Sequence, residues 1–139
     1  MLNCIIKHTV KFLKTTNTRI KDMNAHQAEV YLKNEPAVQN HIGGIHAAAM
    51  VLLAETATGM VLGVSLPDDK IPLAKSIQVD FKKMTKGDLK AIARMTDAQI
   101  KRIQEDEKGE VDVEVKILDS EGLEPLVAKV VWAWIPKKS

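Results

Sequence analysis

Residues 40–63, NHIGGIHAAAMVLLAETATGMVLG, read as one helix that is apolar on every face and carries a single acidic or basic charge, Glu55. A helix that is hydrophobic all round has to be covered. A carboxylate in its middle is expensive to bury unless it is paired or its pKa rises. Groups held that way concentrate at functional sites, so Glu55 is the first candidate for chemistry. Just upstream, Asn40, His41, Gly43, Gly44 and His46 lie at or before the helix N-terminus. There the free backbone N–H groups, those near His46 and Ala47 included, and the positive end of the helix dipole suit a developing oxyanion.

A stretch of this length could also span a bilayer, which takes about 20 apolar residues. It is rich in Ala, Gly and Thr, holds Glu55 at its centre, and runs into alternating patterns typical of a sheet, so a buried core helix with no membrane is expected. The 139 residues fit one domain, with 45% hydrophobic and 27% charged residues typical of a globular chain. A net charge of +2 and 4% aromatics give no basis for nucleic acid as a partner. The lone Cys4 cannot form an internal disulfide and suits a reducing, cytoplasmic setting. Residues 1–21 carry five basic side chains and no acidic one, which would also be compatible with an organellar matrix. The plainer expectation for residues 1–18 is an extension forming a short amphipathic helix that packs through Leu2, Ile5, Ile6, Val10 and Leu13.

Strands dominate the rest. Residues 19–32 alternate loosely and read as one strand, ended by Asn34-Glu35-Pro36. Residues 73–84 place Leu73, Ile77, Val79 and Phe81 on one face and Ser76, Gln78, Asp80 and Lys82 on the other. Leu89, Ala91, Ala93 and Met95 mark a further strand. Thr96 and Gln99 form a capping-box pattern before a short helix that Gly109 ends. Val111, Val113, Val115 and Ile117 mark the next strand, and Asp119-Ser120-Glu121-Gly122 is a turn signal. Ala128, Val130, Trp132 and Trp134 share a face of the last strand. The order is strand, long buried helix, four strands. One apolar helix with a curved antiparallel sheet wrapped around it satisfies both elements.

That order resembles the α+β hot-dog fold over residues 19–135, with 45–62 as the central helix of a single domain spanning 1–139. The segment Asn40-His41-Ile42-Gly43-Gly44-Ile45-His46, with Glu55 nine residues on, resembles the Asn-x-x-Gly-x-x-His motif of phenylacetyl-CoA-type thioesterases, whose helix carries an acid at the same distance. FKKMTKGD at residues 81–88 is similar to that family's strand-end turn, and uncharacterised thioesterase-like hot-dog proteins are similar too. Ala47 and Ala48 stand where the family has two glycines. Ala74 stands where it has a helper serine or threonine, with Ser76 next on the same face.

The resemblance implies hydrolysis of an acyl thioester, with coenzyme A as part of the substrate and neither a separate cofactor nor a metal. Glu55 would be base or nucleophile, and Asn40 and His46 would complete the catalytic set. Backbone N–H groups of Gly43, Gly44 and Ala47 would hold the oxyanion, and Ser76 and His41 are candidate helpers. Lys82, Lys83, Lys86, Lys90 and Arg94 could receive the phosphates of coenzyme A. Read as helical positions at about 100° per residue, His46 and Glu55 project from opposite sides, so a site using both needs two chains. Hot-dog proteins are typically dimers, and a homodimer or a dimer of dimers is expected.

The same residues have plain uses: His46 as a cap, Asn40 and the glycines as a turn, Glu55 as a structural acid in an interface, the lysines as a solvated face. NEPAVQNH at residues 34–41, followed by Glu55, also resembles the hydroxyacyl-thioester dehydratases, in which His41 would be the base and Glu55 the acid. A non-catalytic dimer that binds an acyl ligand is the reading outside the enzymes.

Overall fold

In the computed structural model, which describes residues 9–138, the apolar stretch forms the central helix and six antiparallel strands wrap around it. The chain runs α1 (Lys11–Thr16), β1 (Arg19–Met23), β2 (Gln27–Leu32), a 3-10 turn (Pro36–Val38), α2 (Ala47–Ser65), β3 (Lys70–Phe81), β4 (Leu89–Arg94), α3 (Asp97–Glu105), β5 (Gly109–Leu118) and β6 (Leu126–Pro136). The strand order is β1-β2-β4-β5-β6-β3, and each neighbouring pair is antiparallel. This is the hot-dog arrangement.

Alternation decides which face each strand turns to the helix. Directly opposed residues of an antiparallel pair share a face. Val30 opposes Ala91, Ala91 opposes Ile117, Val113 opposes Val130 and Val111 opposes Trp132, and all of these are buried. They form one core with Leu53, Ala57, Val61 and Leu62 of α2. The buried indole N–H groups find partners: Trp132 Nε1 donates to Thr58 Oγ1 at 2.8 Å, and Trp134 Nε1 to the Asp106 carbonyl at 2.9 Å. Helix α3 starts in the expected capping box of Thr96 and Gln99. At its end the buried Lys70 ammonium donates to the carbonyls of Ile103, Gln104 and Asp106.

Four local expectations change. Residues 19–32 form a hairpin of two strands, because Asn24 Oδ1 accepts the N–H groups of His26 (2.8 Å) and Gln27 (3.0 Å) and folds the chain back. The sheet therefore has six strands. Helix α2 begins only at Ala47, after a turn that the glycines and Asn40 impose, and it runs through Gly63 to Ser65. Leu66, before Pro67, is extended as that proline requires. Gly109 opens β5, while Asp106 caps α3.

In β3 the register shifts between Ala74 and Ser76. Ala74 then opposes buried Trp132 and Ile77 opposes Val130, whereas Leu73 opposes Ala133 and Ser76 opposes Val131. The bulge thus moves Leu73 off the inner face, and Leu73 is exposed. Leu13 of α1 is buried as expected, but Val10 is exposed. Cys4, Leu2, Ile5 and Ile6 lie outside the described residues.

Helix α2 is long and apolar enough to cross a membrane by length and composition, and 56% of its apolar window is buried inside the fold. The cover is incomplete. Val51, Glu55 and Gly59, each one turn apart, are half-buried, and Ala48 and Gly63 extend the same open stripe. At Gly59 a Cβ would sit 2.8 Å from Trp132 Cζ2, in a ring that Thr58 holds in place. Gly59→Ala gains about 1 kcal/mol of helix propensity. Overpacking costs about 1–3 kcal/mol and wins. The expected outcome is a lower urea midpoint at unchanged m-value, a net loss of up to about 2 kcal/mol.

Candidate functional site

The segment before α2 is built by Asn40. Its Oδ1 accepts the N–H groups of Ile42 (3.0 Å) and Gly44 (3.1 Å), its carbonyl accepts that of Gly43 (3.2 Å), and its own N–H donates to the Gly44 carbonyl (2.8 Å). Gly43 has φ +79°, a conformation that favours glycine. The N–H groups of Gly43 and Gly44, expected as oxyanion donors, are therefore consumed within the turn. His41 is exposed at its tip.

His46 is not helical: with φ −62° and ψ 142° it is the N-cap, and its Nδ1 accepts the Ala48 N–H at 3.0 Å. That nitrogen must be bare, so the ring carries its proton on Nε2. The angular opposition of His46 and Glu55 along a helix consequently does not apply, since only Glu55 has a helical backbone. The His46 carbonyl takes the N–H groups of Ala49 and Met50. The Ala47 N–H is left without a hydrogen bond among the described residues, at the positive end of α2.

Glu55 lies a little over two turns along α2. Burial pushes its carboxyl above the ordinary glutamate range, and its side chain has no ion pair or hydrogen bond among the described residues.

A cleft of about 580 Å³ opens beside the helix start. One wall is the turn with Asn40, Ile42, Gly43 and Gly44, continued by Ile45, Ala47 and Met50. The other is the loop between β3 and β4, with Phe81, Lys82, Lys83, Met84, Thr85 and Lys86. Lys83 Nζ is 3.6 Å from Asp119. The buried Asp119 carboxyl is raised by desolvation but held on balance below the usual range by the N–H groups of Leu123 and Glu121 and by the Lys83 charge.

The cleft thus unites Asn40, Gly43, Gly44, Ala47, Lys82, Lys83 and Lys86. It does not include the other candidates. Lys90 lies on β4, 3.9 Å from Glu29. Arg94 donates to Gln27 Oε1 at 3.1 Å and lines a separate cavity of about 730 Å³. Ser76 opposes Val131 and so lies, as its alternation with Ile77 implies, on the face turned away from the helix, outside the lining of the cleft. Among the described residues no cluster of His, Cys, Asp and Glu could hold a metal ion. Asn34 and Thr85 also line the cleft; they fall inside the segments 34–41 and 81–88 that carry the resemblances, but neither stands out there as a site residue.

Residues 1–135 match the model of a family described as Domain of unknown function (DUF4442), and the chain belongs to that family. None of the curated proteins matches it. In structure it is similar to PA5026 of Pseudomonas aeruginosa, a protein of unknown function named "Probable Thioesterase", with a TM-score of 0.86 and 20% identity over 97% of this chain and 93% of that one. The thioesterase HI1161 of Haemophilus influenzae gives 0.78 and 15% over 97% and 88%. The thioesterase SAV0944 of Staphylococcus aureus, solved as a glutamine-to-alanine variant, gives 0.75 and 19% over 91% and 99%. SAV0944 is also solved with a glutamate, fifteen positions after that glutamine, changed to alanine. At these identities the likeness establishes a shared fold, that of hot-dog proteins of the thioesterase type.

The cap gives a direct test of how His46 is used. His46→Ala should cost about 1 kcal/mol in urea unfolding, and His46→Asn, which can cap in the same way, should recover most of it.

Proposed function

We propose that this DUF4442 member hydrolyses acyl-coenzyme A thioesters as a homodimer, or a pair of dimers, in which Glu55 of the partner subunit completes each cleft. The observation that carries this reading is what the cleft holds and lacks. Among the described residues it joins Ala47, whose N–H is unpaired, the Asn40 amide, apolar side chains and three lysines, yet no carboxylate lines it. Glu55 stands on the open stripe of its own helix with no pairing partner among the described residues.

One feature favours a second copy as the bridge, and another favours this pair of residues. Strand β3 is 12 residues long, pairs on one side only among the described residues, and exposes Leu73 and Phe81, and an unpaired edge of that kind is a template for another chain. A two-fold axis along it gives two equivalent sites. The fifteen-residue spacing of the altered glutamine and glutamate in SAV0944 is also that of Asn40 and Glu55.

In this reading the Glu55 carboxylate takes a proton from water as the water oxygen attacks the thioester carbonyl. The Ala47 N–H and the α2 dipole hold the resulting oxyanion, and the Asn40 amide orients the carbonyl. Collapse of the adduct breaks the C–S bond, and the proton on Glu55 goes to the departing thiolate. The acyl group lies against Ile42, Ile45 and Met50, and the coenzyme A phosphates against Lys82 and Lys86. The chain's single cysteine fits a cytoplasmic setting. The dehydratase alternative is disfavoured because His41, its base, is exposed and outside the cleft lining.

Assayed with a panel of acyl-coenzyme A esters, Glu55→Gln should lower kcat by about 10²–10⁴-fold with fold and assembly intact, while His41→Ala changes it little. The base form of Glu55 is the carboxylate and its pKa is raised, so activity should fall on acidification through a limb centred above the ordinary glutamate value of about 4.3. A chemistry-limited rate that stays flat down to that value would mean the wrong residue has been chosen. If both single changes abolish turnover, and on a hydroxyacyl substrate, the dehydratase reading holds instead. A wild type without turnover on the panel leaves a binding protein. Sedimentation at micromolar concentration should give a dimer or tetramer, and a stable monomer would remove the shared site.

A further inference from the structure

We infer that Asn34 and Asp88 are positioning residues that clamp the two walls of the cleft at a fixed separation, and so set which thioester carrier can span it. The second half of this statement rests on the hydrolase reading above; the first does not.

Both walls are mostly irregular chain. One is chiefly the Asn40–Gly44 turn and the other chiefly the loop joining β3 to β4, so their spacing depends in part on hydrogen bonds outside the sheet ladders. Asn34, at the exit of β2, bonds to both. Its backbone N–H donates to Asp88 Oδ1 at 2.8 Å, at the end of the loop. Its Nδ2 donates to the Gly43 carbonyl at 3.1 Å, inside the turn, and its Oδ1 accepts from Gln39 Nε2 at 3.0 Å. The amide is thereby fixed in one orientation.

Asp88 is tied in its turn, with its N–H donating to Ser120 Oγ at 2.9 Å. A continuous line therefore runs from the turn after β5, through Asp88 and Asn34, to the carbonyl of Gly43. The walls it joins are close: a Cβ at Gly44 would lie 3.5 Å from Thr85 Oγ1 across the cleft. Nearer the anchor, a Cβ at Gly87 would collide with Ser120 Oγ, so the loop has no slack there either.

This spacing matters only to a ligand that touches both walls. A coenzyme A thioester would place its carbonyl by Asn40 and Ala47 and its phosphates by Lys82 and Lys86. A truncated N-acetylcysteamine thioester, which lacks the phosphates, reaches only the first wall. The clamp therefore acts on the longer carrier and is nearly silent for the shorter one.

Hydrogen exchange on the full chain tests the clamp without any need for turnover. Asp88→Ala should speed exchange of the Ile42 and Gly44 amides, on the opposite wall, by about ten-fold, the equilibrium effect of one hydrogen bond to a charged acceptor. Asn34→Ala, which removes the neutral bond to the Gly43 carbonyl, should speed the Lys82 and Lys83 amides by about five-fold, with α2 unchanged in both variants. Asp88→Asn, which keeps the Oδ1 acceptor, should stay close to wild type. Exchange that rises only on the substituted wall, or equally throughout the protein, overturns the clamp.

Kinetics test its consequence. In Asp88→Ala the ratio of kcat/KM for an acyl-coenzyme A over the matching N-acetylcysteamine thioester should fall several-fold, whereas an equal fall for both means a merely structural role. If the wild type cleaves neither ester, the hydrolase reading fails and exchange alone decides whether the walls are clamped.

Discussion

The structure depends on covering a 19-residue helix that has almost no polar face. A curved sheet supplies that cover from one side, and its strands alternate strictly enough to pave the concave face with valine, alanine, leucine and two tryptophans. The sheet leaves a stripe open, from Ala48 through Val51 and Glu55 to Gly59. The only charge on the helix falls within that stripe. Glu55 is therefore partly desolvated and, among the described residues, unpaired, which raises its carboxyl above its ordinary value.

The helix start is governed by a second shortage, that of backbone acceptors. A helix has several N–H groups at its beginning without intrahelical partners. Here the His46 ring satisfies Ala48, and the His46 carbonyl satisfies Ala49 and Met50. Among the described residues Ala47 is left over, and it lines the cleft that also holds Asn40 and the lysine loop. The glycines contribute by making the turn rather than by donating to a ligand.

Much of this was legible in the sequence because it rests on periodicity. The apolar helix, the capping box at Thr96 and the inner faces of β4, β5 and β6 follow fixed intervals in the sequence, and such patterns survive folding, although the acid of the helix is half-buried rather than buried. What failed was local chemistry acting against the pattern. Asn24 turns the chain inside what reads as one strand, and a bulge between Ala74 and Ser76 reverses the phase of the first part of β3, so Leu73 and Ala74 change sides. Asn40 lines the cleft as its motif suggested, but its use of both glycine N–H groups was not legible, since a residue whose carbonyl and side chain fold back onto its own turn leaves no spacing signal. The five basic candidates divide for a similar reason. Strand register carries Lys90 and Arg94 up the sheet, and the loop keeps Lys82, Lys83 and Lys86 at the cleft. Asn34 reads in sequence as a strand terminator, while its bonds to Asp88 and Gly43 depend on elements distant in the chain.

The central claim is that one catalytic site is assembled from two chains, Asn40 from one and Glu55 from the other. Subunit mixing tests it most directly. Glu55→Gln and Asn40→Ala homodimers should each be nearly inactive on an acyl-coenzyme A ester. When the two variants are mixed and allowed to exchange subunits, half of the dimers are mixed, and each mixed dimer carries one site with both defects and one with neither. Activity should then return to about a quarter of the wild-type value, as two-fold symmetry requires for random exchange. Exchange verified by mass spectrometry with no recovery of activity would contradict the shared site.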